Sequence, residues 1–156
     1  MTGNNQYEEK GKGLSSSPLI DTNVLCYLFD ARCPEKSKTA KDLIARCFRS
    51  ECRYSVSVQN LAEFAVVLSE KISGPVPSHL IGRLIDDIDR FDGWDVVNYD
   101  AGTVSLALEF QKGYKLHFWD ALLAATMKEH GIATIITEDK HFAKIPWLDV
   151  IDPFSR

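Results

Sequence analysis

The chain has 156 residues, 45% of them hydrophobic and 26% charged, which suits one domain with a substantial apolar core. No stretch nears the roughly 18 apolar residues of a membrane helix, and a net charge of -4 excludes a polycation that binds nucleic acid by charge alone. The cysteines Cys26, Cys33, Cys47 and Cys52 form no Cys-x-x-Cys pair, which excludes the common zinc and redox motifs and leaves reduced thiols.

Residues 1–17 are rich in Gly, Asn and Ser, carry no apolar run that would serve as a signal peptide, and read as a disordered extension of a cytoplasmic protein. The folded domain is expected over 18–156. Pro18 to Asp21 reads as a short strand and Thr22 to Asp30 as a short helix. Pro34 opens a helix to about Arg49, with Ala40, Leu43, Ile44, Cys47 and Phe48 on one face. A strand follows at Arg53 to Ser55. Ser57 then caps a helix to about Ile72, stopped by Gly74-Pro75. Ser78 is the expected cap of the next helix, whose apolar stripe is Leu80, Ile81, Leu84, Ile85, Ile88 and Phe91. Trp94 to Tyr99 reads as a strand, Ala101 to Gln111 as a helix, and Phe118 to His130 as a helix ended by Gly131. Ala133 to Thr137 reads as a buried strand and Leu148 to Ile151 as a last short one. Strands alternating with helices predict an α/β three-layer sandwich around a parallel sheet.

Charge is uneven along this pattern. Arg32 to Arg53 holds seven basic residues against Glu35, Asp42 and Glu51, either a solvated helix face or a phosphate-facing surface. Asp86 to Asp100 holds six aspartates against Arg90 and reads as solvated.

In open parallel sheets ligands gather beyond the carboxyl ends of the strands. Asp21 directly follows the first strand, and Asp139 comes two residues after Thr137. Glu63 lies in the otherwise apolar Leu61 to Leu68 segment, on a face with Asn60 and Val67. Asp120 falls in the first turn of its helix, where unsatisfied N–H groups favour a carboxylate. Singly, each acid has an ordinary explanation as a cap, a helix-start charge, an exposed helix residue or a turn. Jointly they fall where an α/β sheet collects ligands. Two unit charges about 4 Å apart repel by roughly 4 kcal/mol at an effective dielectric near 20, so such a cluster calls for a cation. Oxygen ligands suit Mg²⁺ or Mn²⁺, the usual apparatus for attack of water on a phosphodiester. The first functional expectation is therefore that Asp21, Glu63, Asp120 and Asp139 are catalytic metal ligands.

These residues sit in segments that resemble PIN domains, especially VapC-type toxins. Leu19-Ile-Asp-Thr-Asn-Val-Leu25 resembles the opening strand, Ser57-Val-Gln-Asn-Leu-Ala-Glu63 the second motif, Phe118 to Ala125 the third, Ile136-Thr-Glu-Asp139 the fourth, and Val150 to Phe154 the closing strand. The resemblance implies a five-stranded parallel sheet, metal-dependent endoribonuclease activity on RNA, homodimerisation, and inhibition by a small antitoxin protein. It also implies that Thr22, Asn23 and Thr137 orient the first carboxylate through hydrogen bonds. Glu138 competes with Asp139 for the fourth position, and Asp152 stands where the toxins often have Asn. His117 reads as a helix-start or surface histidine, with an added ligand or proton donor as the rarer role. His141, beside Lys140 and Lys144, is a candidate contact to RNA phosphate. Trp119 is expected to pack in the core, with base stacking as the alternative.

Two rivals remain at this stage. One is a PIN-like module that binds RNA or protein without cutting. The other is a phosphatase or phospho-receiver, disfavoured because Asn23 stands where the haloacid-dehalogenase pattern needs a second Asp, and because a receiver's flanking acids are missing.

Overall fold

The computed structural model describes residues 17–155, and the expected N-terminal extension lies outside them apart from Ser17. Five strands, β1 (Leu19–Ile20), β2 (Tyr54–Ser57), β3 (Trp94–Val97), β4 (Thr134–Ile136) and β5 (Asp149–Ile151), form one sheet in the order β3-β2-β1-β4-β5. Every neighbouring pair is parallel, which requires crossover connections. The helices that supply or follow them are α1 (Thr22–Cys26), α2 (Pro34–Phe48), α3 (Val58–Val66), α4 (Ser78–Arg90), α5 (Ala101–Tyr114) and α6 (Phe118–Glu129).

Strand alternation sorts the core into two halves. Leu19 and Ile135 join a cluster with Ala107 of α5 and with Leu122, Ala125 and Met127 of α6. Their neighbours Ile20 and Ile136 join the opposite cluster, with Leu25, Ile44, Phe64 and Ile88 from α1 to α4. The sheet is thus covered on both faces, which is the expected three-layer sandwich. All residues from Ala121 to Met127 are buried, as befits a helix apolar on nearly every side. Gly131, at φ 66°, supplies the left-handed turn that releases the chain toward β4.

Several boundaries differ from the sequence expectation for local reasons. The first helix ends at Cys26 rather than Asp30, because Asp30 takes the Arg32 backbone N–H at 3.0 Å and its guanidinium at 2.9 and 2.8 Å, offering the backbone an alternative to a further helical turn. Pro77, not Ser78, occupies the cap position of α4, and no side chain caps it. β2 runs on to Ser57 because its register with β3 extends from Tyr54–Trp94 to Ser57–Val97. β3 stops two residues short of Tyr99, where the Asn98 side chain accepts the Tyr99 N–H instead. α3 passes into a π-helical turn at Val67–Lys71, a distortion that is frequent near functional sites.

Five of the seven residues of the basic run are engaged in ion pairs. Arg32 pairs with Asp30, Lys36 with Glu138, Arg46 and Arg49 with Glu51, and Arg53 with Asp95. All four cysteines are free thiols, with Cys47 buried and the others half-buried.

Candidate active site

Strand order reverses between β1 and β4, since the chain runs outward through β2 and β3 on one side and to β5 on the other. A crevice opens beyond the carboxyl ends at such a point. Asp21 enters it directly from β1, and its backbone N–H is held by Ile136 of β4 at 3.0 Å. Asp139 arrives from β4 by the short turn through Thr137. Ser57 ends β2 and starts α3 with a reciprocal cap, its hydroxyl accepting the Asn60 N–H at 3.0 Å while Asn60 Oδ1 accepts the Ser57 N–H at 3.2 Å. That cap fixes the rotation of α3 and aims Glu63 back at the crevice. Asp120 comes from the first turn of α6. The four acids, from four separate segments, line one cavity of about 460 Å³ together with Thr22 and Asn23.

Asp21 is the most enclosed of them, 8% exposed. Its Oδ1 accepts the Thr22 N–H at 2.7 Å and Asn60 Nδ2 at 3.3 Å; its Oδ2 accepts the Thr137 hydroxyl at 2.7 Å and Asn23 Nδ2 at 3.3 Å. Burial nevertheless pushes its carboxyl up to about 6, and the neighbouring Glu63 and Asp139 charges add to the rise, against the lowering by Thr137 and Thr22. The Asp21 cap on α1 is the ordinary explanation for that residue, and it coexists with the cluster.

Glu63 accepts the Thr22 hydroxyl at 3.1 Å and Gln59 Nε2 at 2.8 Å. Asp120, half-buried, accepts no hydrogen bond from any described residue. Burial and the Asp139 charge raise its carboxyl, while the nearby His117 and His141 offset part of the rise. Asp139 Oδ1 accepts the His141 N–H at 2.9 Å and lies 3.1 Å from His141 Nδ1. The Thr137 hydroxyl joins the two ends of the site, since it donates to Asp21 while accepting the Asp139 N–H at 3.0 Å.

Adjacent Glu138 turns the other way. Its Oε1 accepts the Tyr27 hydroxyl at 2.6 Å, and its Oε2 pairs with Lys36 at 2.5 Å, with the Lys36 ammonium lying over the Tyr27 and Phe154 rings. Asp139 therefore faces the cavity, and Glu138 ties the β4 turn to α2. Asp152 accepts the Phe154 N–H at 2.9 Å in a closing turn.

The roles of Asn60 and Gln59 lay outside the sequence expectation, and the core placement of Trp119 is corrected. Asn60, fully buried, links the α3 cap to both Asp21 and Thr22, donating to the latter hydroxyl at 3.1 Å. The Ser-x-x-Asn spacing before an apolar helix was the signal that pointed to it. Gln59 bridges Glu63 and the Trp119 carbonyl, at 2.8 and 3.0 Å. Trp119 is not in the core but 60% exposed. It stands over a second cavity of about 580 Å³ that shares Thr22, Glu63, Val67, Lys71 and Asp120 with the first.

No lysine or arginine among the described residues pairs with any of the four acids. Four carboxylates meet, one of them without a single donor among the described residues, and burial first, with neighbouring carboxylates adding to it, raises the Asp21 and Asp120 carboxyls. That is a donor set fitted to a hard divalent cation rather than to an internal ion pair.

A parallel α/β sandwich with carboxylates gathered at its switch point defines the class to which known proteins can be compared. The PIN domain family model matches residues 19–148, and the chain belongs to that family. Its fold is similar to a chain of a toxin–antitoxin complex from Klebsiella pneumoniae, at 24% identity, TM-score 0.63, with 90% of this chain and 100% of that one covered. It is likewise similar to VapC20 of Mycobacterium tuberculosis, a sarcin-ricin loop cleaving toxin, at 22% identity, TM-score 0.63, and coverages of 86% and 98%. A third likeness is to FitAcB from Neisseria gonorrhoeae, at 18% identity, TM-score 0.59, and coverages of 88% and 99%. In sequence, no curated protein matches the chain.

Proposed function

We propose that this chain is a metal-dependent endoribonuclease that hydrolyses RNA phosphodiesters, and that it acts as the toxin of a toxin–antitoxin pair. The observation that carries the reading is the meeting of Asp21, Glu63, Asp120 and Asp139 in one cavity, with no lysine or arginine among the described residues paired to any of them. These four side chains would hold one or two Mg²⁺ or Mn²⁺ ions. A divalent cation bound there supplies charge neutralisation at the phosphate and lowers the pKa of a bound water. Thr22, Asn23 and Thr137 orient the inner carboxylates through the hydrogen bonds they make to Glu63 and Asp21.

RNA rather than a small phosphate ester is favoured by the second cavity beside the acids. Trp119 offers an exposed ring next to Asp120, and Lys71 sits where the two cavities join. A flanking base stacked on that ring would hold a phosphodiester over the carboxylates, a contact worth about 1–3 kcal/mol in single-strand binding. The toxin assignment and a small antitoxin partner draw support from family membership and from neighbours described as toxin–antitoxin complexes, and a homodimer is proposed with them on the family resemblance alone. A cytoplasmic setting accords with RNA as the substrate, and no helix among the described residues is long and apolar enough to cross a membrane.

The test is cleavage of a structured RNA in Mn²⁺ by the wild type, Asp21→Asn and Asp120→Asn. Activity in the wild type and a loss of at least about a hundredfold in both variants is expected. Equal activity in all three proteins would end the nuclease reading.

A further inference from the structure

The acids divide into an inner pair already supplied with donors and an outer pair that is not. Asp21 accepts four hydrogen bonds and Glu63 two, from Thr22 and Gln59. Asp120 accepts none from a described residue, and of the Asp139 carboxylate only Oδ1 is engaged by a described residue, His141. On that outer side one ligand atom each from Asp120, Asp139 and His141 lies within 4.8 Å of the others. The ring of His117, one turn before Asp120, stands 6.0 Å from that of His141, edge to face.

Two ligands at about 2.1 Å from one ion are at most about 4.2 Å apart. The observed spread of 4.8 Å closes onto an ion with shifts of about half an ångström, small for side chains at an open rim. The 3.1 Å contact from Nδ1 to Asp139 already pins the imidazole beside the carboxylates. An imidazole nitrogen is a borderline ligand that suits Zn²⁺, Fe²⁺ and Ni²⁺ and that Mn²⁺, a first-row transition ion, accepts more readily than Mg²⁺. Mg²⁺ prefers oxygen and sheds its waters reluctantly.

We infer that His141 is a nitrogen ligand which, with Asp120 and Asp139, makes the outer rim of the cavity a transition-cation site selecting Mn²⁺ over Mg²⁺. The inference rests on the reading of the four acids as a divalent-metal site. It adds a residue that the carboxylates alone do not call for.

The test is Mn²⁺ binding to the full chain, read by pulsed electron paramagnetic resonance for coupling to nitrogen and by calorimetry for affinity. The wild type is expected to show a nitrogen-14 coupling that persists in His117→Ala and vanishes in His141→Ala. His141→Ala should also weaken Mn²⁺ by at least about tenfold while leaving Mg²⁺ within about twofold. Because His141 is exposed, a metal-free thermal scan of the variant should match the wild type. Tight Mn²⁺ binding that needs Asp120 and Asp139 but carries no nitrogen coupling would overturn this inference and leave the acid site standing. A coupling that survives His141→Ala would overturn the assignment of the ligand. Absence of any divalent binding would overturn the acid site, and this inference with it.

Discussion

The inner and outer halves of the cavity are built on opposite rules. Around Asp21, donors from four residues close on one buried carboxylate, and Asn60 and Thr137 carry its hydrogen bonds back into the α3 cap and the β4 turn. Around Asp120, a half-buried carboxylate stands without a donor, facing Asp139 and two histidines. A dense hydrogen-bond network rigidifies a site, whereas a carboxylate without a donor is held ready for something that arrives. The contrast makes Asp21 the most firmly positioned of the four carboxylates and leaves Asp120 and Asp139 the more open ones.

The contrast has consequences of different size. The largest concerns pH. The Asp21 carboxyl rises from 3.8 to about 6 on folding, so the folded state holds its proton longer than the unfolded chain does. The stability linked to this group is full below about pH 4, is lost as pH climbs to about 6, and is flat above. Two units correspond to roughly 3 kcal/mol. In chelator-treated protein, the wild type minus Asp21→Asn difference in unfolding free energy should fall by roughly 2 kcal/mol between pH 4 and 6, with the rest of the change in the tails on either side. A flat difference profile would remove the buried charge from the account.

Next comes Thr137→Val, which deletes the hydroxyl that donates to Asp21 and receives the Asp139 and Asn23 N–H groups. A hydrogen bond to a charged group is worth about 1.5–3 kcal/mol, so denaturant unfolding at neutral pH should show a loss of about 2 kcal/mol. Asp120→Asn should act in the opposite direction. It removes a desolvated charge without stranding a donor, and should leave metal-free stability unchanged or raised by up to about 1 kcal/mol. Destabilisation by Asp120→Asn comparable to that of Thr137→Val would erase the distinction between the two halves. Smallest is Glu138→Gln, which loosens a part-exposed pair with Lys36 and should cost about 0.5 kcal/mol. Its interest is positional, since the same turn carries Asp139.

Much of this was legible in the chain. Strand-end acids and acids embedded in apolar helices pointed to Asp21, Asp139, Glu63 and Asp120, and the alternation of elements gave the sandwich. Glu138 and Asp139 were not separable, because which of two consecutive side chains enters a crevice depends on the turn and on the Lys36 and Tyr27 partners about 100 residues away. Trp119 was misplaced for a different reason. A helix apolar on nearly every side has no periodicity to mark its outward face, and Trp119 in its first turn lines the second cavity instead. Thr22 was expected to orient Asp21 and does so through its backbone, but its hydroxyl goes to Glu63. That division required the rotation of α3, which the Asn60 cap sets.

The most direct measurement is a thermal scan with and without Mn²⁺. A ligand that binds only the folded state stabilises it by about 1.4 kcal/mol at tenfold its Kd, or roughly 3–5 °C in Tm for a domain of this size. The wild type should show that rise, and an Asp120→Asn, Asp139→Asn double variant should show none. A Tm indifferent to millimolar Mn²⁺, or an equal rise in both proteins, would mean that these carboxylates do not jointly bind a cation.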